Sequence, residues 1–529
     1  MNRMWQEKEQ QAMEHLQQGS LGEAEVIYRE LIEEGAINHT IFGNLAVIRG
    51  MQGKMQEMIL LLRKAIAINS NYPEAYNNLG VALKKQGDLQ PAIDAYRQAL
   101  AVNPNYLDAY LNLGIALMKQ GNLQAAIDAY HQALAINHNL PDAYNNLGIA
   151  LKEQGNLQAA IDAYHQALAI NHNLPDAYNN LGNALKEQGK LQAAVDAYHQ
   201  ALAIKPNYSQ AYNNLGSVLK DQSDLQAAID AYRQALAINP NYSTAYSNLG
   251  VALKDQGDLQ GAIDAYRQAL AINYNSPDAH NNLGNALKEQ GDLQAAIDTY
   301  RQALVINPGY PEAHCNLSLA QLLSGDYKSG WKEYEWRFRV KDSPQPHAHP
   351  QVERWTGSNL APGESLILVS EQGLGDTLQF MRYVLYLNNT GRPASLCTQT
   401  KLHDLIRVSG IATVIYSPEQ ANQLTTGKWL PLLSLPGYLQ IRPDHPIVDT
   451  PYIKAPEQQI DHWRQKLAAE QRPIIGINWS GTWRPTPSGK KEDWRSLPLE
   501  AFAPIVEKTT VTLLSLQKGD GSEQLADCS

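Results

Sequence analysis

The sequence is poor in cysteine: Cys315, Cys397 and Cys528 lie far apart, with no CxxC or Cys/His spacing around them. That excludes a disulfide framework and a zinc site, and it points to a reducing, cytoplasmic setting. Long apolar runs are also missing. The longest, such as the one around Ile59 to Leu62, fall well short of the roughly 20 residues a membrane span needs. The opening MNRMWQEKEQQAMEHLQ lacks the apolar centre of a signal peptide. A soluble protein without a standard export signal is expected. Positive charge is scarce as well: residues 1–344 hold 26 Lys+Arg against 35 Asp+Glu, nearly all of the net −10. That balance argues against a nucleic-acid ligand for this stretch. At 529 residues the chain exceeds one ordinary core, so several units or a repeat array are expected.

A repeat is present. Glycines 80, 114, 148, 182, 216, 250 and 284 recur every 34 residues, each after a leucine, and tyrosines 96, 130, 164, 198, 232, 266 and 300 keep the same step. One unit reads PEAYNNLGVALKKQGDLQPAIDAYRQALAVNPNY, residues 73–106. Tyr76, Leu79, Gly80 and Leu83, then Leu89, Ala92, Ile93, Tyr96, Ala99 and Leu100, fall at helical spacing, predicting two amphipathic helices around a Gly87-Asp88 turn. Gly80, Ala92 and Ala99 leave room for close helix approach, and Tyr96 is expected to fill the space between one hairpin and the next. Asn103-Pro104 should end the second helix. A large buried side chain contributes about 1.5 to 3 kcal/mol, too little to order an isolated hairpin of this length. Stacking is therefore required.

These residues resemble the tetratricopeptide (TPR) family. Less regular copies occupy residues 5–38 and 39–72, and a degenerate one occupies 311–344, where Ser318 and Gly330 replace the usual Gly and Ala. Trp331, Tyr334, Trp336 and Phe338 add aromatic bulk there. The resemblance implies a mainly α fold, a right-handed α-solenoid of about ten helix-turn-helix repeats over residues 5–344.

Asparagine recurs where packing does not demand it: Asn44, Asn78, Asn112, Asn146, Asn180, Asn214, Asn248, Asn282 and Asn316, one per repeat. The family places first helices on the concave surface, so the ladder should line an inner groove. Carboxamides donate and accept, which suits the backbone of an extended peptide. The series resembles the asparagine ladder of the O-linked N-acetylglucosamine transferases. The competing reading is that the asparagines bridge neighbouring helices or are inherited by duplication. A second series, Asn77, Asn145, Asn179, Asn213 and Asn281, is broken by Leu111 and Ser247 and ranks as less important. His131, His165 and His199 replace arginine at a variable position of the second helix and are read as exposed, not as metal ligands.

After Pro344 the period ends. Residues 345–353 read as a Pro/His linker, and a new α/β domain is expected over 354–471. Strands are predicted at 365–370, 394–399, 412–416, 473–479 and 511–516, with helices at 400–409, 459–470 and 498–508. This alternation implies a parallel sheet. Gly373-Leu374-Gly375-Asp376 sits where such sheets bind ligands, beyond a strand's carboxyl end. The plainer reading is a tight strand-to-helix turn with Asp376 as the N-cap. No Walker loop or full GxGxxG is present.

Trp355-Thr-Gly, Arg382-Tyr383, PLLSLP at 431–436, GINWSG at 476–481, WRSLPLEAF at 494–502 and SLQK at 515–518 resemble, in order, a GT-B-type glycosyltransferase of the heptosyltransferase kind. The resemblance implies a Rossmann-like half domain, Asp376 as general base, and Gly373, Gly375, Ser480, Gly481, Lys490 and Lys491 near a donor diphosphate. A nucleotide-sugar donor would then be a second partner beside the peptide or protein in the groove. No metal and no cofactor are implied. Residues 472–529 would be only the start of the second GT-B half, so a truncated gene or fragment is expected. Three functions follow: a protein O-glycosyltransferase whose groove recruits the acceptor, a noncatalytic peptide-binding adaptor, and transfer to a small glycan with the repeats serving assembly.

Overall fold

The computed structural model describes residues 3–358, 360–361, 363–442, 451–471, 474–477 and 512–515. They fall into two compact units, Met1–Ser324 and Gly325–Ser529.

The first unit is a solenoid of helical hairpins. These run from Arg3–Gln17 with Leu21–Glu33 to Pro277–Gln290 with Leu293–Ile306, and Pro311–Ser324 follows. Local chemistry sets the boundaries. Proline opens Pro73–Gln86, Pro141–Glu153, Pro175–Glu187 and Pro277–Gln290, where its missing N–H costs no helical bond. Asp224, Asp258 and Asp292 each accept a bond from the N–H three residues on, capping a second helix. Gly87 ends Pro73–Gln86 at φ +94°, a conformation that suits glycine. Asn103 ends Leu89–Val102 in extended backbone, as the following proline requires.

Packing inside each hairpin rests on tyrosine against glycine. A Cβ on Gly80 would lie 2.5 Å from Tyr96 Cε1, and the relation recurs from Gly114 with Tyr130 to Gly284 with Tyr300. The ring thus lies on the glycine of its own hairpin, where the sequence had suggested a filler between hairpins. Ala92 and Ala99, both fully buried, are small enough to let the two helices close on it. Apolar contact is continuous across hairpins, with one cluster running from Phe42 to Ala231. Each repeat completes its neighbour's core.

The second unit begins inside the predicted tenth repeat. Its helix Tyr327–Tyr334 passes into a 3-10 turn, Glu335–Arg339. The turn belongs to the α/β core because Arg337 is buried there against Glu371. Strands β1 (Leu366–Val369), β2 (Ala394–Cys397), β3 (Ile415–Tyr416) and β4 (Lys428–Pro431) form a parallel sheet in the order β3-β2-β1-β4. Leu366 stands opposite Ala394 on one side and Lys428 on the other. All four residues of β1 and of β2 are buried, as expected of parallel strands covered on both faces. Leu374–Phe380 and Arg382–Asn389 connect β1 to β2, and His403–Ser409 connects β2 to β3. A separate parallel pair, β5 (Ile474–Ile477) and β6 (Thr512–Ser515), meets two of the strand expectations. The predicted strand at 412–416 shortens to β3, and β4 was not anticipated. The helix expected at 498–508 lies outside the described residues. No described helix is long and apolar enough to cross a membrane.

Candidate functional site

Successive first helices of the solenoid approach one another more closely than successive second helices do. First helices therefore form the inner face, and this face carries the asparagine ladder. Asn78, Asn112, Asn146, Asn180, Asn214, Asn248, Asn282 and Asn316 are all partly exposed.

Five of the eight are clasped to the preceding repeat. Asn112 Nδ2 donates to Asn77 Oδ1 at 3.1 Å, Asn180 to Asn145 at 3.1 Å, Asn214 to Asn179 at 2.9 Å, Asn248 to Asn213 at 3.0 Å and Asn316 to Asn281 at 3.0 Å. The acceptors are the second asparagine series, so its ranking as less important is corrected: the two series are halves of one device. The interruptions fit. Thirty-five residues before Asn146, Asn282 and Asn78 stand Leu111, Ser247 and Gly43, and these three ladder members make no such bond. A clasp spends one of two Nδ2 hydrogens. The carbonyl and one N–H remain for a ligand at most clasped positions, and the whole carboxamide remains at Asn78, Asn146 and Asn282.

A line of lysines runs beside the ladder. Lys152 pairs with Glu187 at 3.7 Å, Lys186 with Asp221 at 3.2 Å and Lys254 with Glu289 at 3.1 Å, again 35 residues apart. Burial holds Lys84 and Lys288 below the ordinary lysine range; neighbouring Lys119 and Lys85 add to the effect at Lys84. A third ladder went unread in the sequence. Gln120 donates to Gln90 at 2.8 Å, which donates to Asp94 at 2.9 Å, and the pattern repeats to Gln290 and Gln260. Its signal was present as glutamine at the same 34-residue step in both helices. His131, His165 and His199 are exposed, and no metal-binding cluster occurs among the described residues.

In the α/β unit, Gly373 caps Leu374–Phe380, and Asp376 sits in the first turn, not at the N-cap position. Its Oδ2 accepts the Gly373 N–H at 3.2 Å, closing the turn on itself. A Cβ on Gly375 would meet nothing within 4 Å, so no packing demand fixes that glycine. Beyond the carboxyl ends of β1 and β4, where the strand order reverses, the space is occupied by protein. Arg337 donates to both Glu371 oxygens at 2.8 and 2.9 Å and to Ser434 Oγ at 2.9 Å, while Leu433 N–H donates to Glu371 at 3.0 Å. Glu371 is 2% exposed. Nearby, His347 Nδ1 lies 2.8 Å from Ser370 Oγ, and burial lowers the histidine pKa. Burial pushes the Cys397 thiol up to about 12, so it stays protonated. A depression of about 620 Å³ lies at the opposite ends of the strands, beside Glu364 and Lys428. Ser480, Gly481, Lys490 and Lys491 lie outside the described residues.

Hairpins that share a core and present one face of polar side chains per repeat define a helical-repeat solenoid. The family comparisons name the repeat. A profile described as the cilia and flagella-associated protein 70 C-terminal domain, itself of TPR type, matches residues 6–241, and a tetratricopeptide-repeat profile matches residues 247–311. The chain is a tetratricopeptide-repeat protein, and its solenoid is a TPR-type protein-interaction scaffold. Protein FlbA of Caulobacter vibrioides is 23% identical over 215 residues, covering 37% of this chain and 35% of FlbA. The chain thus spans about a third of that relative's length. Among solved structures, the APC/C hetero-tetramer Cut9-Hcn1 is 19% identical, covers 56% of this chain and 59% of its own, and has a TM-score of 0.40. YrrB, titled a TPR protein with an unusual peptide-binding site, is 23% identical over 35% of this chain and 95% of its own, with a TM-score of 0.31.

Proposed function

We propose that the inner face of the solenoid binds an extended peptide segment of a partner protein, held by backbone hydrogen bonds to the asparagine ladder. The supporting observation is the unspent bonding capacity of Asn78, Asn146 and Asn282, which no neighbouring repeat uses. Were the ladder only a brace between repeats, asparagine would have no role at these three places. Substituting all three by alanine should weaken partner capture from host lysate while leaving helical circular dichroism and melting unchanged, because no clasp is broken. Each lost bond should cost on the order of 0.5 to 1.5 kcal/mol of binding. Unchanged capture would remove the ladder from ligand contact.

For the α/β unit we favour a noncatalytic adaptor over a protein O-glycosyltransferase recruiting its acceptor through the groove. Asp376 is engaged by its own turn, and the Arg337–Glu371–Ser434 cluster fills the crevice where a parallel sheet would hold a nucleotide. A cytoplasmic setting belongs to the same proposal, supported by the cysteine spacing. Titration calorimetry with UDP-, GDP- and ADP-sugars should show nothing tighter than about millimolar. Micromolar affinity that Asp376→Ala abolishes would restore the transferase reading.

A further inference from the structure

The two faces of the α/β sheet are covered by different means. Helices Arg382–Asn389 and His403–Ser409 lie over one face, where Val384, Leu387 and Ile406 pack against Leu366, Leu368 and Leu396. The other face carries Ile367, Val369 and Cys397, and its fully buried cover is Ala348 and Ala421, with Val352 and Leu424 at the margin. Ala348 belongs to an extended strap, residues 345–355, that forms no helix. The second half of the strap is tied by backbone bonds. Gln351 N–H donates to the Leu424 carbonyl at 3.0 Å, Trp429 N–H to the Glu353 carbonyl at 3.1 Å and Trp355 N–H to the Trp429 carbonyl at 2.7 Å. The first half hangs on two histidines. His347 N–H donates to the Ser370 carbonyl at 2.8 Å while its Nδ1 lies 2.8 Å from Ser370 Oγ, and His349 N–H donates to Asn422 Oδ1 at 2.6 Å. His347 is half-buried, whereas His349 is exposed and stacks on Trp429.

We propose that residues 345–350 are an acid-opened strap: protonation of His347 frees them from Ser370, they swing about the Gln351–Leu424 bond, and the sheet face bearing Cys397 is uncovered. A neutral imidazole accepts the Ser370 hydroxyl through Nδ1. The imidazolium cannot, because both ring nitrogens then carry hydrogen. Ser370 and Ala348 are 0% and 2% exposed, so a charged ring must either stay where water is scarce or leave. The groups facing His347 do not offset this. Burial is the largest influence and holds the histidine below its ordinary range, against the Ser370 carbonyl and the Glu371 carboxylate, which favour the charged ring. Glu371 is already taken by Arg337. Cys397, on the covered face, stays protonated, and Glu419 on the short helix Pro418–Ala421 is exposed. A histidine that the fold keeps neutral stabilises the closed strap at pH above its unfolded pKa, and that contribution is lost as pH falls through the folded one. Opening is thus expected on the acid side, and only for the half of the strap that His347 anchors.

The test uses the full chain carrying C315S/C528S, so that Cys397 is its one thiol, with dithiodipyridine as the probe. Labelling rates are read at about pH 8 and about pH 5, the range in which imidazole changes charge. Each is divided by the rate of free cysteine at the same pH. The acid-to-neutral ratio should be several-fold above one. His347→Asn keeps an acceptor for the Ser370 hydroxyl but does not titrate, so its ratio should be close to one whether its labelling is slow or fast. A ratio near one in the parent chain, or an undiminished ratio in H347N, would overturn the proposal. Amide exchange in the same chain, corrected for intrinsic rates, distinguishes strap opening from acid unfolding. Protection should fall at His347 and His349 and hold at Trp355 and Leu366–Val369. Loss at all of these together would overturn the proposal as well.

Discussion

The solenoid and the α/β unit satisfy their buried and half-buried polar groups on different plans. In the solenoid the two polar ladders between repeats keep a fixed step, 35 residues for the asparagine clasps and 30 for the glutamine ladder, and so tie a hairpin only to its neighbour. In the α/β unit one guanidinium joins residues 34 and 97 positions away, and the Tyr452 hydroxyl reaches back 74 positions to the Leu378 carbonyl. Polar bonding in the array is a sum of short links, each replaceable by itself. In the α/β unit it passes through a few residues on which several segments depend at once.

The largest expected effect is in the α/β unit. Arg337→Ala would leave Glu371 buried without its cation, at a cost of about 3 to 5 kcal/mol. Amide exchange at Leu366–Val369 and Lys428–Pro431 should accelerate, and replacing the pair together as R337M/E371L should restore most of the protection. If the single variant leaves exchange at β1 and β4 unchanged, the two units do not differ in the way described.

A smaller, local effect is expected in the array. Gly148→Ala gains about 0.8 to 1 kcal/mol of helix propensity, but its Cβ would meet the Tyr164 ring at 2.5 Å. The clash dominates because the ring is fully buried and hemmed in, so a net loss of about 1 to 3 kcal/mol is expected in chemical denaturation. Protection should fall in the hairpin Pro141–Ile170 and its neighbours, and a loss spread evenly over all repeats would contradict nearest-neighbour coupling.

The smallest effects distinguish tyrosines that look identical in sequence. Among the described residues the hydroxyls of Tyr96 and Tyr164 are buried without a partner, whereas those of Tyr198 and Tyr300 donate to Asn183 and Asn285 at 2.8 Å. Tyr164→Phe should therefore be neutral or stabilising, while Tyr198→Phe should cost about 1 kcal/mol. Equal melting shifts in the two variants would show that the difference in bonding carries no energy.

Much of the solenoid was legible because a 34-residue period fixes helices, turns and core together, and asparagine stood out as unneeded for packing. The clasp was harder to see. It joins position 77 to 112 and 179 to 214, one residue off the repeat, and that offset follows from how successive helices are rotated in space. The gaps at Leu111 and Ser247 were visible but had no meaning until the bond was known. Arg337 was overlooked for a related reason: it sits among Trp331, Tyr334, Trp336 and Phe338, whose aromatic bulk was what stood out in the degenerate last repeat. Its partners Glu371 and Ser434 lie too far along the chain for any local pattern to announce them. Strand β4, Lys-Trp-Leu-Pro, is too short to show a period and is defined by its pairing with β1.

Adjacent asparagines on one helix serve opposite neighbours: Asn214 reaches back to Asn179, and Asn213 receives Asn248. In-frame loss of residues 209–242 would remove one donor and one acceptor together, and bring Asn248 to the place Asn214 held against Asn179. Insertion of a 34-residue copy does the reverse. Unequal crossing-over between copies as similar as 121–154 and 155–188 can therefore lengthen or shorten the groove by whole units without stranding an amide at the new junction.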